Sequence, residues 1–168
     1  MEKLLNRKFL VISFLFLFAG CGYQLIKNQS TKNFFISNFE NLTLQPQLQI
    51  YLTDNLEEKI LSYPYFKLTK NKGKADIIVD GAIKKFEREP LFFSSGDSSN
   101  IIIAKFIVSV DLKLTKGEEQ IFQTTLNENL SISLSQNYKE EEMMRKITDL
   151  ISQKIFSIIL KKYEEGKI

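Results

Sequence analysis

Residues 101–114 read IIIAKFIVSVDLKL. Phe106, Val108, Val110, Leu112 and Leu114 alternate with Lys105, Ser109, Asp111 and Lys113. A period of two in hydrophobicity predicts a strand with one buried face and one wet face. Thr115-Lys116-Gly117-Glu118 supplies a hairpin turn, and Glu119 to Leu134 its partner strand. In that partner Phe122, Leu126, Leu130, Ile132 and Leu134 fall on one side; Gln123, Thr125, Asn127, Asn129, Ser131 and Ser133 fall on the other. The wet face of the hairpin is therefore rich in amides and hydroxyls.

Upstream, Ala75 to Phe86 is a further strand, with Ile77, Val79, Gly81 and Ile83 on one face and Asp80, Lys84 and Phe86 on the other. Gly81 in mid-strand marks a bulge or a close approach. Pro90 is expected to end the pairing, and Ser94 to Ser99 form a polar hairpin tip. Earlier still, Phe34 to Phe39 is a first strand, and Glu40-Asn41-Leu42-Thr43 a turn. Pro46 opens a helix over Gln47 to Leu61, whose stripe is Leu48, Leu52, Leu56 and Ile60 with Tyr51 beside it. Asp54, Glu57, Glu58 and Lys59 make its solvated side. Ser62-Tyr63-Pro64 stops the helix, Tyr65 to Thr69 is a short strand, and Lys70 to Lys74 a basic turn. Downstream, Asn137 with Glu140 is a capping pair. It starts a second helix that runs to about Tyr163, with Met144, Ile147, Ile151, Ile155 and Ile158 as its core stripe. The predicted class is α+β: two helices packed on one face of a mostly antiparallel, roughly four-stranded sheet, the other face partly open.

The amino terminus has a different logic. Lys3, Arg7 and Lys8 precede an apolar run from Phe9 to Phe18, then Ala19-Gly20-Cys21-Gly22. A basic start, a short apolar core and small residues define a secretory signal. The run is too short to span a bilayer, which takes roughly 20 residues. Cys21 is the single cysteine of the chain. Small residues before it resemble a bacterial lipobox, which implies cleavage before Cys21 and lipid attachment to its sulfur. The position three before the cysteine is Phe18, with Leu17 one further back. The expected organisation is a signal peptide over 1–20, a lipidated tether over 21–33 and a single domain over 34–168.

Composition narrows the function. The chain carries a net charge of +3 and no histidine. Glu2, Lys3, Arg7 and Lys8 account for +2 of that charge, so the remainder is about +1 and has no electrostatic footprint for nucleic acid. Without histidine, Ser-His-Asp triads and histidine-containing zinc sites are excluded. Gly96-Asp97-Ser98 therefore has no base to activate its serine. No spacing picks out a carboxylate pair, and the expectation is a non-enzymatic protein with no cofactor and no metal.

Several stretches resemble one family. Cys21-Gly22-Tyr23-Gln24-Leu25 resembles the start of the lipopolysaccharide-assembly lipoproteins called LptE. Phe34 to Asn41 followed by the helix Leu48 to Leu61 is similar to that family's first strand and helix. Ala75 to Gly81, and Lys85 to Leu91 (KFEREPL), are similar to its next strand and turn. The resemblance covers nearly all of the chain after Gly20. It implies a lipoprotein held by Cys21 on the periplasmic side of the outer membrane. Such a protein assembles with and plugs a large β-barrel translocon, LptD, and helps deliver lipopolysaccharide to the outer leaflet. Gly22 after the cysteine is compatible with outer-membrane sorting.

Lipopolysaccharide is anionic through its phosphates, so the resemblance points to Lys and Arg as its contacts. The candidates are Lys84, Lys85, Arg88 and Lys105, near one another if the strand pairing is as predicted; a solvated, edge-protecting face is the alternative. The competing function is another envelope lipoprotein, such as a peptidoglycan-synthase activator or a curli-secretion-like component.

Overall fold

A computed structural model of the chain describes residues 30–93, 101–134 and 139–168. The signal peptide, Cys21, most of the tether, the tip at 94–100 and the Asn137 cap lie outside the described residues. Thr31–Ile168 form one compact unit. Its elements are β1 (Lys32–Ile36), β2 (Glu40–Asn41), α1 (Leu48–Ser62), β3 (Phe66–Leu68), β4 (Ile77–Phe93), β5 (Ile101–Lys116), β6 (Glu119–Ser133) and α2 (Glu140–Glu164).

The class is the predicted α+β, with two more strands than the four expected. The described strands form one sheet in the order β3-β1-β4-β5-β6, with β2 also paired to β4. The hairpin β5–β6 has the register that alternation predicts, Val108 opposite Glu128 and Leu112 opposite Thr124. Gly117 turns it with φ of 60°, a conformation that only glycine adopts without cost. The parallel pairs β1–β3, β1–β4 and β2–β4 are the additions. Their partners lie far apart in sequence, so no local pattern announces them.

Strand β4 departs from expectation in two ways. It runs through Pro90, which stands opposite Ala104 of β5. Parallel partners occupy its other flank only as far as Ile83, opposite Asn41. Beyond that point β4 is paired on one side only among the described residues, and on such a strand a residue without an N–H is tolerated. Second, the register with β5 shifts between Ile83 and Lys85, so Lys84 is an extra residue. That bulge inverts the alternation. Phe86, expected on the wet face with Lys84, is turned to the same face as Ile83 and stands opposite buried Val108.

Both helices cover one face of the sheet. Phe34, Ile77, Val79 and Ile83 there meet Phe106, Val108, Val110, Leu112 and Leu114, all buried. The stripe predicted for α1 is its buried set, Leu48, Tyr51, Leu52, Leu56 and Ile60. In α2 the buried residues include Met143, Met144, Ile147, Ile151, Ile155 and Ile159, whereas Ile158 is only partly covered. The helices run in the same direction. Gln45, before α1, donates to Met144 Sδ at 3.2 Å, Asn55 donates to Thr148 Oγ1 at 3.0 Å, and Lys59 pairs with Asp149 at 2.7 Å. The far end is closed by rings: Tyr63, Phe66 and Tyr163, with the Phe66 and Tyr163 centroids 5.0 Å apart, edge to face. The opposite sheet face carries Gln123, Thr125, Asn127, Asn129, Ser131 and Ser133, all exposed, as the alternation predicts.

Candidate functional site

The turn after β2 is built by one side chain. Asn41 Oδ1 accepts from the Thr43 amide at 3.1 Å and the Thr43 hydroxyl at 2.8 Å. Asn41 Nδ2 donates to the Gln45 carbonyl at 2.7 Å and to Gln49 Oε1 at 2.9 Å. Short polar side chains favour this arrangement because they mimic a backbone turn. It holds Leu42 half exposed and Leu44 fully exposed, at 50% and 103%. The Leu42 amide donates to the Ile83 carbonyl at 3.0 Å. The chain then leaves the flank of β4.

What it leaves is an open groove of about 450 Å³, lined by Leu42, Thr43, Leu44 and Gln45 on one side and Lys84, Lys85, Phe86, Glu87 and Arg88 on the other. Three of the four cations singled out in the sequence line it. Lys105 does not; it stands opposite Glu89 on β5. The exposed leucines of the Asn41 turn are the part that charge patterning missed, and an Asn-Leu-Thr-Leu run after a strand was the available signal.

The bulge also separates the four cations by face. Arg88 stands opposite Phe106, on the helix-covered face, with its guanidinium carbon 5.9 Å from the Phe106 ring centroid. Lys85 and Lys105 belong to the opposite face, opposite Ser109 and Glu89. Each lysine has an acid: Lys84 with Asp111 at 3.8 Å, Lys85 with Glu87 at 2.8 Å, and Lys105 with Glu89 at 3.6 Å. All six of these side chains are at least one-third exposed, so each pair is worth about 1 kcal/mol or less and exchanges readily for another anion. Among the described residues no carboxylate pairs with Arg88. The groove is thus lined by an arginine that pairs with no carboxylate among the described residues, two lysines in exchangeable ion pairs and two exposed leucines. Chemically, such a lining suits an anion joined to an apolar chain.

No family model matches the chain, nor does any curated protein. Solved structures do. The protein XCC0632 from Xanthomonas campestris matches with a TM-score of 0.60 at 8% identity, over 83% of this chain and 89% of that one. Rare lipoprotein B from Shewanella oneidensis matches with a TM-score of 0.52 at 8% identity, over 81% and 99%. A hypothetical protein from Chlamydia trachomatis matches with a TM-score of 0.51 at 14% identity, over 80% and 96%. At such identities the likeness is one of fold: the chain has an α+β architecture that solved bacterial proteins, a lipoprotein among them, also have.

Proposed function

We propose that this protein is an outer-membrane lipoprotein, anchored through Cys21 on the periplasmic side. It assembles with a large β-barrel of the LptD kind and helps deliver lipopolysaccharide to the outer leaflet. The observation that carries the reading is the pairing of a lone cysteine after an apolar leader with a domain whose fold a solved lipoprotein shares. Two features of the domain support it. On the open sheet face β6 carries a row of exposed amides and hydroxyls, and β4 and β5 carry mainly charges (Lys85, Glu87, Glu89, Lys105, Asp111 and Lys113), a surface suited to the polar interior of a wide barrel. The groove beside β4 joins Arg88, Lys84 and Lys85 to Leu42 and Leu44, suited to a phosphate-bearing lipid. The role is one of binding and assembly without catalysis.

The test is recovery of the full chain from membranes in detergent, with mass spectrometry of its amino terminus and of whatever accompanies it. The expected result is a lipid-modified Cys21 and one very large β-barrel in stoichiometric amount. An unmodified Cys21 removes the anchor, and a preparation free of any barrel removes the partner.

A further inference from the structure

Among the described residues the sheet has two long flanks without a paired strand, and the chain treats them differently. Beyond Ile83, β4 has a bulge at Lys84, the charges of Lys84, Lys85, Glu87, Arg88 and Glu89, and Pro90. Bulges, edge charges and proline are the devices that keep a strand from pairing with another chain. The other strands with an open side, β2 and β3, are only two and three residues long. Strand β6 is less protected: it has no bulge along its length and no proline, and its one defence is the Glu128–Lys154 pair. It is 15 residues long and, among the described residues, no strand lies on its outer flank. It contains no proline, no lysine and no arginine, and its one register shift is at the turn end, between Leu114 and Thr115 of its partner. Its only charges are Glu119 and Glu128, and Glu128 is met by Lys154 of α2. Lys154 Nζ also donates to the Asn127 carbonyl at 3.5 Å, a long bond that an incoming amide can replace.

We propose that the β6 edge is an interface for a second copy of this chain, joined antiparallel across a two-fold axis near Asn127. The edge is complementary to itself. With the axis at Asn127, Thr125 meets Asn129 and Gln123 meets Ser131 on the polar face. Phe122 meets Ile132 and Thr124 meets Leu130 on the helix-side face. Glu128 falls opposite Leu126 and no two like charges oppose, which is the condition an isologous edge must meet. Moving the axis to Leu126 sets Phe122 against Leu130 and Thr124 against Glu128, again without repulsion. No comparable self-pairing is open to β4, where an axis at Glu87 stacks that carboxylate on its own copy. The product is one sheet continuous through both copies, with two pairs of helices on the same side.

The experiment is the molar mass of the full chain in detergent, separated from any co-purifying barrel, by light scattering over a dilution series. It is run beside the double variant N127K/N129K and the opposite-edge variant Lys85→Glu. The expected result is a mass of two chains that falls to one on dilution, falls to one throughout in N127K/N129K, and is unchanged in Lys85→Glu. Asn127 and Asn129 are exposed, and circular dichroism confirms that the variant keeps its fold. As an independent readout, Asn127→Cys is expected to cross-link two copies on oxidation, while Glu87→Cys does not. A single-chain mass at every concentration without an Asn127→Cys cross-link overturns the proposal, leaving the edge to solvent or to a different protein. A dimer indifferent to N127K/N129K overturns it as well, by placing the interface elsewhere.

Discussion

Phe39 lies over Gly81 with no room for a side chain between them. A β-carbon at Gly81 would stand 2.7 Å from Phe39 Cδ1 and 2.6 Å from the Asp111 carbonyl oxygen. Between β1 and β2 the chain leaves β4, and the Phe39 ring, 2% exposed, fills the notch that glycine opens. The Ser37 amide donates to the Val79 carbonyl at 2.9 Å and the Leu42 amide to the Ile83 carbonyl, so the two short strands clamp β4 on either side of it. The Asp111 oxygen belongs to the backbone of β5 and cannot swing away. Gly81→Ala is therefore expected to destabilise the fold by about 1–3 kcal/mol, the range for forcing volume into a packed core. Denaturant unfolding checks this: a midpoint equal to that of the unaltered protein would mean that the notch is slack.

Asn41 is expected to matter more for the groove than for the core. Asn41→Ala removes the hydrogen bonds that hold Thr43, Gln45 and Gln49. At about 0.5–1.5 kcal/mol each and far from additive, the expected loss of stability is about 1–2 kcal/mol. Faster amide exchange should be confined to residues 42–45. Exchange that speeds up equally in β5 would show that Asn41 supports the whole sheet.

Core and surface on α1 differ by a residue's place on the helix. Leu56 is fully buried and Ile50 is half exposed. Leu56→Ala should cost about 2–5 kcal/mol through lost burial and the cavity left behind. Ile50→Ala should stay within about 0.5 kcal/mol. Thermal melts of the two variants side by side give the comparison.

The groove makes a claim about single cations. Arg88→Ala is expected to weaken binding of a bisphosphorylated lipid about tenfold or more, since a hydrogen bond to a charged group is worth about 1.5–3 kcal/mol. Lys105→Ala, outside the groove lining, should change it less than twofold. Calorimetric titration distinguishes them. Equal losses from both variants would favour diffuse attraction over a defined contact.

Two groups give opposite pH signatures. The Tyr163 hydroxyl is pushed above its ordinary value, mainly by burial, with Tyr63 and Tyr65 adding to the effect. A raised value in the folded state means that stability is complete below the ordinary tyrosine value and is lost as pH rises through the folded one. Alkaline unfolding should therefore be delayed in Tyr163→Phe, provided the ring packing is kept. Glu142 is held below the usual carboxylate value, first by its hydrogen bond from Lys146 at 2.7 Å and then by that ammonium's charge. Its contribution is present above the ordinary carboxylate value and disappears as pH falls through the lowered one. Lys146→Ala should move the Glu142 titration, followed by NMR, back up; an unmoved midpoint would assign the shift to the helix terminus.

Much of the architecture was legible because it rests on local periodicity. Alternation from Phe106 to Leu114 and from Phe122 to Leu134 fixed the hairpin faces, and the four-residue spacing of Leu48, Leu52, Leu56 and Ile60 fixed the buried side of α1. Long-range events were not legible. The bulge at Lys84 moves Phe86 and Arg88 across the sheet, and nothing in KKFEREP declares where a register will slip. Pro90 is read as a stop because proline lacks a donor; it is tolerated because β4 has no second neighbour there among the described strands, a fact about other strands. Lysines 84, 85 and 105 look alike in sequence and differ in the acids that reach them and in whether they line the groove.

The sequence by itself determined the α+β class, both helices and their buried stripes, the polar face of the hairpin, and the exclusion of histidine chemistry. Each of these depends on residue type and on spacing within a few residues. Tertiary structure alone decided the parallel pairings of β1, β2 and β3, and the notch at Gly81. It also decided the groove that joins Leu42 and Leu44 to Arg88, and which of the two long flanks is the more strongly defended. These depend on contacts between residues some 40 positions apart, where the entropy of closing the loop is offset only once the whole sheet has formed.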